Sequence, residues 1–304
     1  MTRGIQDLAT HWRRLLASCG GPAGFFGACV IALLLVVSLG APLIAPHDPL
    51  EVSIVDQLQE PGEGHWLGTD QSGRDVLSRI IWGSRASLTV SALAVLIGLA
   101  GGVPIGLVAG FFRGGWLEQA IMRVLEAVSA IPILIWAIAL VGIFGVKDAH
   151  LGPLTFSNES KLLIMLGLLY IPTLARLTYT SALGESQANY VAARQLQGVS
   201  GLRIMFSDVL PNCLSPVVVQ ATLLLAIGII IEAAISFVGL GVQPPTPSWG
   251  NMLASARDYL LSGEWWLSVF PGAAISLTVV GFNLLGDGLR DRLDPRHTLA
   301  QVSR

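Results

Sequence analysis

The chain has 304 residues, of which 53% are hydrophobic and only 12% are charged, and its formal net charge at pH 7 is −2. A soluble domain carries about 25% charged residues, so this composition argues against a soluble enzyme or binding domain. Most of the surface of such a chain meets lipid, and we therefore expect membrane lipid, and no nucleic acid, around it.

Five stretches contain no ionisable residue and are each about 20 residues long or longer: residues 25–46, 86–112, 127–146, 209–231 and 265–286. As helices, they can cross a hydrocarbon core of roughly 30 Å at about 1.5 Å per residue. A sixth stretch, 162–175, reaches that length only if it continues past Arg176. Because these runs do not alternate as barrel strands do, we predict an all-α polytopic membrane protein with six transmembrane helices.

The predicted segments follow one another without repeats. A short tail (1–24) precedes the first transmembrane helix (25–45), an outer segment (46–86), a membrane domain (87–287) and a second tail (288–304). Within the membrane domain, the predicted helices cover residues 87–112, 121–144, 162–182, 211–240 and 266–285, with an inner loop at 183–212 and an outer segment at 241–265. Residues 243–250 are too rich in proline to be helical.

The distribution of lysine and arginine predicts the orientation. With the amino terminus inside, the inner segments hold 12 of the 18 basic residues and the outer segments hold 6. Positive residues favour the cytoplasmic side. We therefore expect both termini in the cytoplasm and the segments 46–86 and 241–265 in the periplasm.

The inner loop predicts a helix, a break and a second helix. Residues 190–197 favour a helix, and Gly198 can take the left-handed conformation that ends one. Ser200 is a good N-cap for a short helix at 201–209, and Pro211 fits the first turn of the fifth membrane helix. Such a segment, joined to a membrane helix with little slack, can transmit force, whereas the alternative is a plain amphipathic connector.

The same loop resembles the EAA loop of binding-protein-dependent ABC importer permeases. That pattern is Glu-Ala-Ala, three residues, Gly, nine residues, an apolar residue, any residue and Leu-Pro. With Gly198 on the glycine, Leu210 and Pro211 fall on Leu-Pro. The agreement is incomplete at two places. The chain has Ala192, Ala193 and Arg194 where the pattern has Glu-Ala-Ala, and it has Asp208 where the pattern has an apolar residue.

Three further blocks are similar to the C-type subunits of the dipeptide/oligopeptide/nickel permease group. They are residues 65–79 before the second helix, 237–250 at the exit of the fifth helix, and 270–295 at the carboxyl-terminal end. The resemblance covers roughly residues 25–296.

The resemblance implies a type I ABC importer permease fold in the bacterial inner membrane. It implies one half of a heterodimeric channel, paired with a B-type permease subunit, driven by two cytoplasmic ATPase subunits and supplied by a periplasmic or lipid-anchored solute-binding protein. In this reading the chain is not an enzyme and has no catalytic residue, and ATP and Mg²⁺ are bound by the partner ATPases. The residues implied in ATPase coupling are Ala192, Ala193, Arg194, Gly198, Ser200, Leu210 and Pro211.

One observation on the residues agrees with an external energy source. The chain contains no Gly-x-x-x-x-Gly-Lys-[Ser/Thr] phosphate loop, and its only lysines are Lys147 and Lys161. Of the cargoes associated with the group, namely dipeptides, oligopeptides, nickel complexes and glutathione, we favour peptides.

Glu232 is the only carboxylate deep in a predicted span. A charge there costs about 2.5–3.5 kcal/mol on insertion scales, so the side chain should face protein or water. It is either a pore-lining group or a partner in a helix–helix hydrogen bond. In the first outer segment, Asp70, Arg74 and Asp75 either brace the structure or contact the binding protein.

Two other classes of protein remain as alternatives. A self-sufficient secondary transporter or channel would need its own coupling-ion site, typically with paired carboxylates in the membrane. A membrane enzyme would need a catalytic set, and neither a Ser/His/Asp arrangement nor a metal motif is apparent. The three cysteines and five histidines show no ligand spacing, so we expect no metal site.

Overall fold

The computed structural model of the protein describes residues 20–145, 149–151 and 154–293. Its elements are α1 (Pro22–Leu39), α2 (Ala41–Ile44), α3 (Val76–Phe111), α4 (Trp116–Ser129), α5 (Ile133–Phe144), β1 (Ala149–Leu151), β2 (Leu154–Phe156), α6 (Asn158–Glu185), α7 (Asn189–Leu196), α8 (Gly201–Ile204), a π-helical turn (Met205–Val209), α9 (Leu210–Phe237), α10 (Trp249–Ala256), a 3-10 turn (Arg257–Tyr259) and α11 (Trp266–Leu293). Of the predicted tails, 1–19 and 294–304 lie outside the described residues.

In the described part of the chain, five helical segments are long and apolar enough to cross a membrane, and a sixth span results if α4 and α5 count as one. The prediction of a helical polytopic membrane protein is therefore confirmed. One short antiparallel hairpin, β1–β2, pairs Ala149 with Phe156 and was not expected from the all-α reading. The cytoplasmic placement of the termini stays a prediction.

The predicted third helix, 121–144, is wrong as a single element. α4 and α5 are separate and meet at an angle of 83°. Pro132 directly precedes α5, with φ −58° and ψ 141°. A proline lacks the N–H of the helical ladder and disfavours a helical conformation at the residue before it, here Ile131. The break follows from these two effects.

Other elements differ from the prediction as well, among them α1, which ends at Leu39 rather than at 45. α3 begins at Val76 rather than at 87, because Asp75 caps it by accepting a hydrogen bond from Ser78 N. α11 continues past 285 to Leu293. The helix α10 was not predicted. The prolines before it led us to expect a non-helical segment, although Ser248 and Asn251 form a capping box at its start.

α3 and α6 approach each other along a stripe of small residues on α3. A Cβ atom added to Gly106 would lie 2.2 Å from the carbonyl oxygen of Ala175, and one added to Gly102 would lie 2.8 Å from the Cβ of Leu174. These glycines therefore permit backbone contact, as predicted for helices associating in lipid. The main apolar core lies beside this contact, between α3, α5, α6 and α9.

Candidate functional site

The inner loop segment, residues 186–209, contains the predicted helix and glycine break. α7 ends at Leu196, and Gly198 has φ +76°. Gly198 N donates to Gln195 O at 2.9 Å, and Val199 N donates to Arg194 O at 3.2 Å. This pair of hydrogen bonds is the Schellman motif, which requires the left-handed residue that glycine supplies without strain.

The second half of the segment joins the membrane helix without a break. Ser200 occupies the N-cap of α8, but its side chain makes no capping hydrogen bond. α8 has only four residues and continues through the π-helical turn into α9, so that the span runs without interruption from Gly201 to Phe237. Pro211 lies in the first turn of α9, as predicted. A displacement of α8 therefore reaches the membrane helix without passing a flexible joint.

A buried apolar cluster anchors the inner loop segment to the bundle. Its members come from the segment, from the ends of α3 and α6 and from the start of α9: Val191, Ile204, Met205, Val209, Leu107, Ala182 and Cys213. Within this chain Ala192 and Ala193 of α7 are exposed. The residue of α7 that packs into the cluster is Val191, which is buried.

The two departures from the EAA pattern lie next to each other in space. Arg194 Nε is 3.2 Å from Asp208 Oδ2, and the pair joins α7 to the π-helical turn across the glycine break. The side chains are 37% and 21% exposed, and ion pairs in such positions contribute about 0–1 kcal/mol. The sequence contained a signal for this pair, since the two substitutions carry opposite charges.

A second polar link was missed by sequence reasoning. Tyr190 Oη donates to Glu185 Oε2 at 2.6 Å, and Asn212 Nδ2 donates to Tyr190 Oη at 3.2 Å and to Asp208 O at 2.9 Å. Partial burial, with the bond to Glu185 next in effect, raises the pKa of Tyr190, so the phenol stays protonated as a donor. The network connects the ends of α6, α7 and α9.

Large apolar side chains of the segment are exposed: Leu196, Leu202 and Phe206. Leu196 is 90% exposed, at the end of α7. Large exposed apolar side chains on a loop segment are typical of a protein–protein interface. The segment thus combines a buried anchor with an outer apolar surface.

In the outer segment, Asp70 holds two arginines in a buried cluster. Arg74 Nε lies 2.7 Å from Asp70 Oδ2, and Arg79 Nε lies 3.4 Å from the same oxygen. The Asp70 side chain is 9% exposed and that of Arg79 3%. Arg79 also donates to Pro49 O at 3.2 Å. This geometry favours the bracing role over contact with a partner, because these groups are enclosed by the chain.

Asp75 is part of a second cluster. It caps α3, and its Oδ1 lies 2.9 Å from His65 Nδ1, while its Oδ2 lies 3.7 Å from His47 Nδ1. Two of the five histidines, which are scattered along the chain, therefore meet at one carboxylate, and the expectation of no metal site stays a prediction. Residues 47, 65 and 75 are too far apart in the chain to form a spacing motif, so the sequence carried no signal for the cluster.

Glu232 is fully buried. Its Oε2 accepts a hydrogen bond from Ser87 Oγ at 2.8 Å and its Oε1 accepts one from Ser236 Oγ at 2.8 Å. The carboxylate therefore ties α9 to α3, which is the geometry of the helix–helix alternative and not that of a group facing a water-filled pathway.

These features define a multi-pass membrane permease subunit: five or six spans and an inner loop joined rigidly to one of them. Residues 102–298 match the family described as binding-protein-dependent transport system inner membrane component. The chain belongs to this family, and is therefore a permease subunit of an ABC importer in the bacterial inner membrane. Importers of this family depend on a solute-binding protein and an ATPase.

The chain is similar to several curated permeases over most of its length. The di/tripeptide transport system permease protein DppC of Pseudomonas aeruginosa (strain UCBPP-PA14) is 44% identical, with 90% of this chain and 88% of that protein covered. The glutathione transport system permease protein GsiD of Pectobacterium atrosepticum is 37% identical, with 94% and 90% covered. The probable D,D-dipeptide transport system permease protein DdpC of Escherichia coli (strain K12) is 38% identical, with 91% and 89% covered.

The resemblance to C-type subunits of the dipeptide/oligopeptide/nickel group is thereby confirmed. Membership of an ABC permease family also speaks against the self-sufficient transporter or channel.

Proposed function

We propose that this chain is the C-type half of a heterodimeric pore that imports di- or oligopeptides, and that its inner loop segment receives movement from two ATPase subunits. The observation that carries the proposal is the uninterrupted helical connection from α8 to α9. Exposed apolar side chains supply a docking face there: Leu202 and Phe206 lie on that connection, and Leu196 lies at the end of α7, just before the glycine break.

The mechanism follows from the rigidity of these parts. Binding of ATP closes the two ATPases and displaces the inner loop segment docked on them. The bundle follows the segment because Val191 and Ile204 anchor the segment to it. α9 moves as one body with the segment, and the hydrogen bond from Ser87 to Glu232 passes the movement to α3. The pore then opens to the periplasm, receives the ligand from the binding protein, and returns inward after hydrolysis.

In this proposal the chain itself catalyses no reaction and needs no cofactor. ATP and Mg²⁺ are bound by the ATPase subunits. The B-type subunit supplies the other wall of the pathway. Ala192, Ala193 and Arg194 are exposed or half-buried at the carboxyl-terminal part of α7, where an ATPase surface can reach them.

Two observations support a peptide cargo. The three relatives named above are described as permeases for di/tripeptides, D,D-dipeptides and glutathione. In addition, a cavity of about 630 Å³ beside the inner loop segment is lined by one acid and one base, Glu185 and Arg290, with Ser215 and Gln220. A zwitterionic peptide presents both charges to such a wall, and the volume is within the usual range of small-ligand sites.

A matched pair of variants tests the coupling. Leu196 on the inner loop segment and Leu261 on the outer side of the bundle are both almost fully exposed, at 90% and 103%, so an aspartate at either position should leave the fold intact. In liposomes holding the complete transporter, Leu196→Asp should reduce ligand-stimulated ATP hydrolysis and peptide uptake by about tenfold or more, since an unpaired charge would enter an apolar interface. Leu261→Asp should keep its ATPase stimulation.

Normal stimulation in Leu196→Asp would contradict the docking role. The cargo is tested separately, with labelled dipeptide, glutathione and a nickel chelate offered to the wild-type complex. Uptake of the nickel chelate alone would overturn the peptide assignment and leave the coupling result unchanged.

A further inference from the structure

The outer segment brings three groups with metal-ligating atoms to one place. His47, His65 and Asp75 each offer one ligand atom, and these atoms all lie within 4.8 Å of one another. The residues come from three separate parts of the chain: the stretch after α2, the loop before α3 and the N-cap of α3. We propose that they form a site for a divalent transition-metal ion, with Zn²⁺ as the best-suited probe.

The distances fit such an ion. Bonds of about 2.0–2.2 Å to nitrogen and oxygen place the ligand atoms of a tetrahedral site about 3.3–3.6 Å apart. The separation between His65 Nδ1 and Asp75 Oδ1 is 2.9 Å, and that between His47 Nδ1 and Asp75 Oδ2 is 3.7 Å. These two values lie on either side of the required spacing. The three ligand atoms lie within 4.8 Å of one another, so the widest pair must close by up to about 1.4 Å to complete the site.

The donor set identifies the class of ion. Two imidazoles and one carboxylate suit Zn²⁺ and neighbouring transition metals, whereas Mg²⁺ and Ca²⁺ prefer sites made of oxygen. Here both rings turn Nδ1 toward the same carboxylate, with ring centroids 4.8 Å apart.

The groups around the cluster hold the carboxylate in place. Asp75 Oδ2 accepts hydrogen bonds from Ser78 N and Ser78 Oγ, both at 2.7 Å, and Ser78 Oγ in turn accepts one from His47 N at 3.0 Å. Such second contacts orient the ligands of a metal. Both neighbouring arginines, Arg74 and Arg79, pair with Asp70, so the charge of Asp75 remains available to a cation.

The site is reachable from the outer side. The His47 side chain is 39% exposed, and it forms part of the wall of a cavity of about 630 Å³ together with Pro49, Trp82 and Thr246. An ion can enter there, and a water molecule can complete a fourth position. A bound ion would join three segments of the outer side and stabilise the folded state by mass action.

Metal retention by the full-length chain tests the site. The chain is purified in lipid nanodiscs with a tag that contains no histidine, stripped with a chelator, and dialysed against Zn²⁺ or Mg²⁺ at mildly alkaline pH. The wild type should retain one Zn²⁺ per chain and no Mg²⁺. His47→Ala and His65→Ala should bind Zn²⁺ at least about tenfold more weakly. His150→Ala, which changes a histidine outside the cluster, should bind like the wild type.

Thermal unfolding gives a second readout that does not depend on measuring how many ions are bound. Zn²⁺ should raise the unfolding temperature of the wild type and of His150→Ala, and should leave that of His47→Ala unchanged. Because His47 is partly exposed, this variant should fold normally without metal. Absence of retained Zn²⁺ in the wild type, or equal retention in all four proteins as an adventitious ion only, would overturn the proposal.

Discussion

The inner loop segment and the outer segment that precedes α3 both join membrane helices, but their charged residues lie in different surroundings. On the inner side, Arg194 and Asp208 form a half-exposed pair, and apolar side chains carry the anchoring. On the outer side, Asp70 and its two arginines are enclosed, and polar bonds carry the anchoring. The inner segment is thus built to present a surface, whereas the outer segment is built to hold its own shape.

The largest expected effect comes from the outer cluster. Asp70→Asn should lower the free energy of unfolding by about 3–5 kcal/mol, because it leaves Arg74 and Arg79 buried without a counter-charge. Thermal unfolding in detergent measures the loss. Asp208→Asn removes the acid of the half-exposed inner pair and is the matched control, with an expected loss of at most about 1 kcal/mol. Equal losses in the two variants would remove the contrast between the regions.

Glu232 links α3 and α9 in the membrane region between the two segments. Its removal should destabilise the protein less than the loss of Asp70 and more than the loss of the inner ion pair. Glu232→Leu leaves the hydroxyls of Ser87 and Ser236 without their acceptor and should cost about 1–3 kcal/mol. Glu232→Gln keeps an acceptor oxygen and should change stability and peptide uptake little. Severe loss of uptake in a stable Glu232→Gln protein would instead place a required charge in the pathway.

The variant Gly198→Ala distinguishes the cost of backbone strain from a role of the glycine break in coupling to the ATPases. An alanine at φ +76° should cost about 1–2 kcal/mol, and the same change at Gly239, with φ +82° and open space around it, should cost a similar amount. Only Gly198→Ala should lower ligand-stimulated ATP hydrolysis, by several-fold, because it alters the angle between α7 and α8. Equal stimulation in the two variants would show that the break has no part in coupling.

The smallest effect is expected at the inner ion pair. Arg194→Asp and Asp208→Arg should each destabilise the protein slightly, and the double variant should recover about 0.2–1 kcal/mol of interaction energy. A double-mutant cycle on thermal unfolding measures this term. Zero coupling would show that the two departures from the EAA pattern do not compensate each other, although their side chains touch.

Local features of the inner loop segment could be predicted because their causes are local. Gly198 ends α7 through hydrogen bonds within five residues, and Pro211 lies in the first turn of α9. The break between α4 and α5 could not be predicted, because a proline in an apolar run either kinks a helix or ends it. A connection from α8 to α9 with little slack was predicted, but the π-helical turn that joins them was not, since such a turn has no distinct sequence pattern.

By itself, the sequence determined that this protein is a helical membrane permease and where most of its spans lie, because hydropathy and short motifs are properties of contiguous residues. Only the tertiary structure decided which polar groups meet. Ser87 and Glu232 are 145 positions apart, and His47, His65 and Asp75 come from three segments. Contacts of this kind depend on how the helices and loops pack, and no pattern of contiguous residues predicts which distant residues will meet.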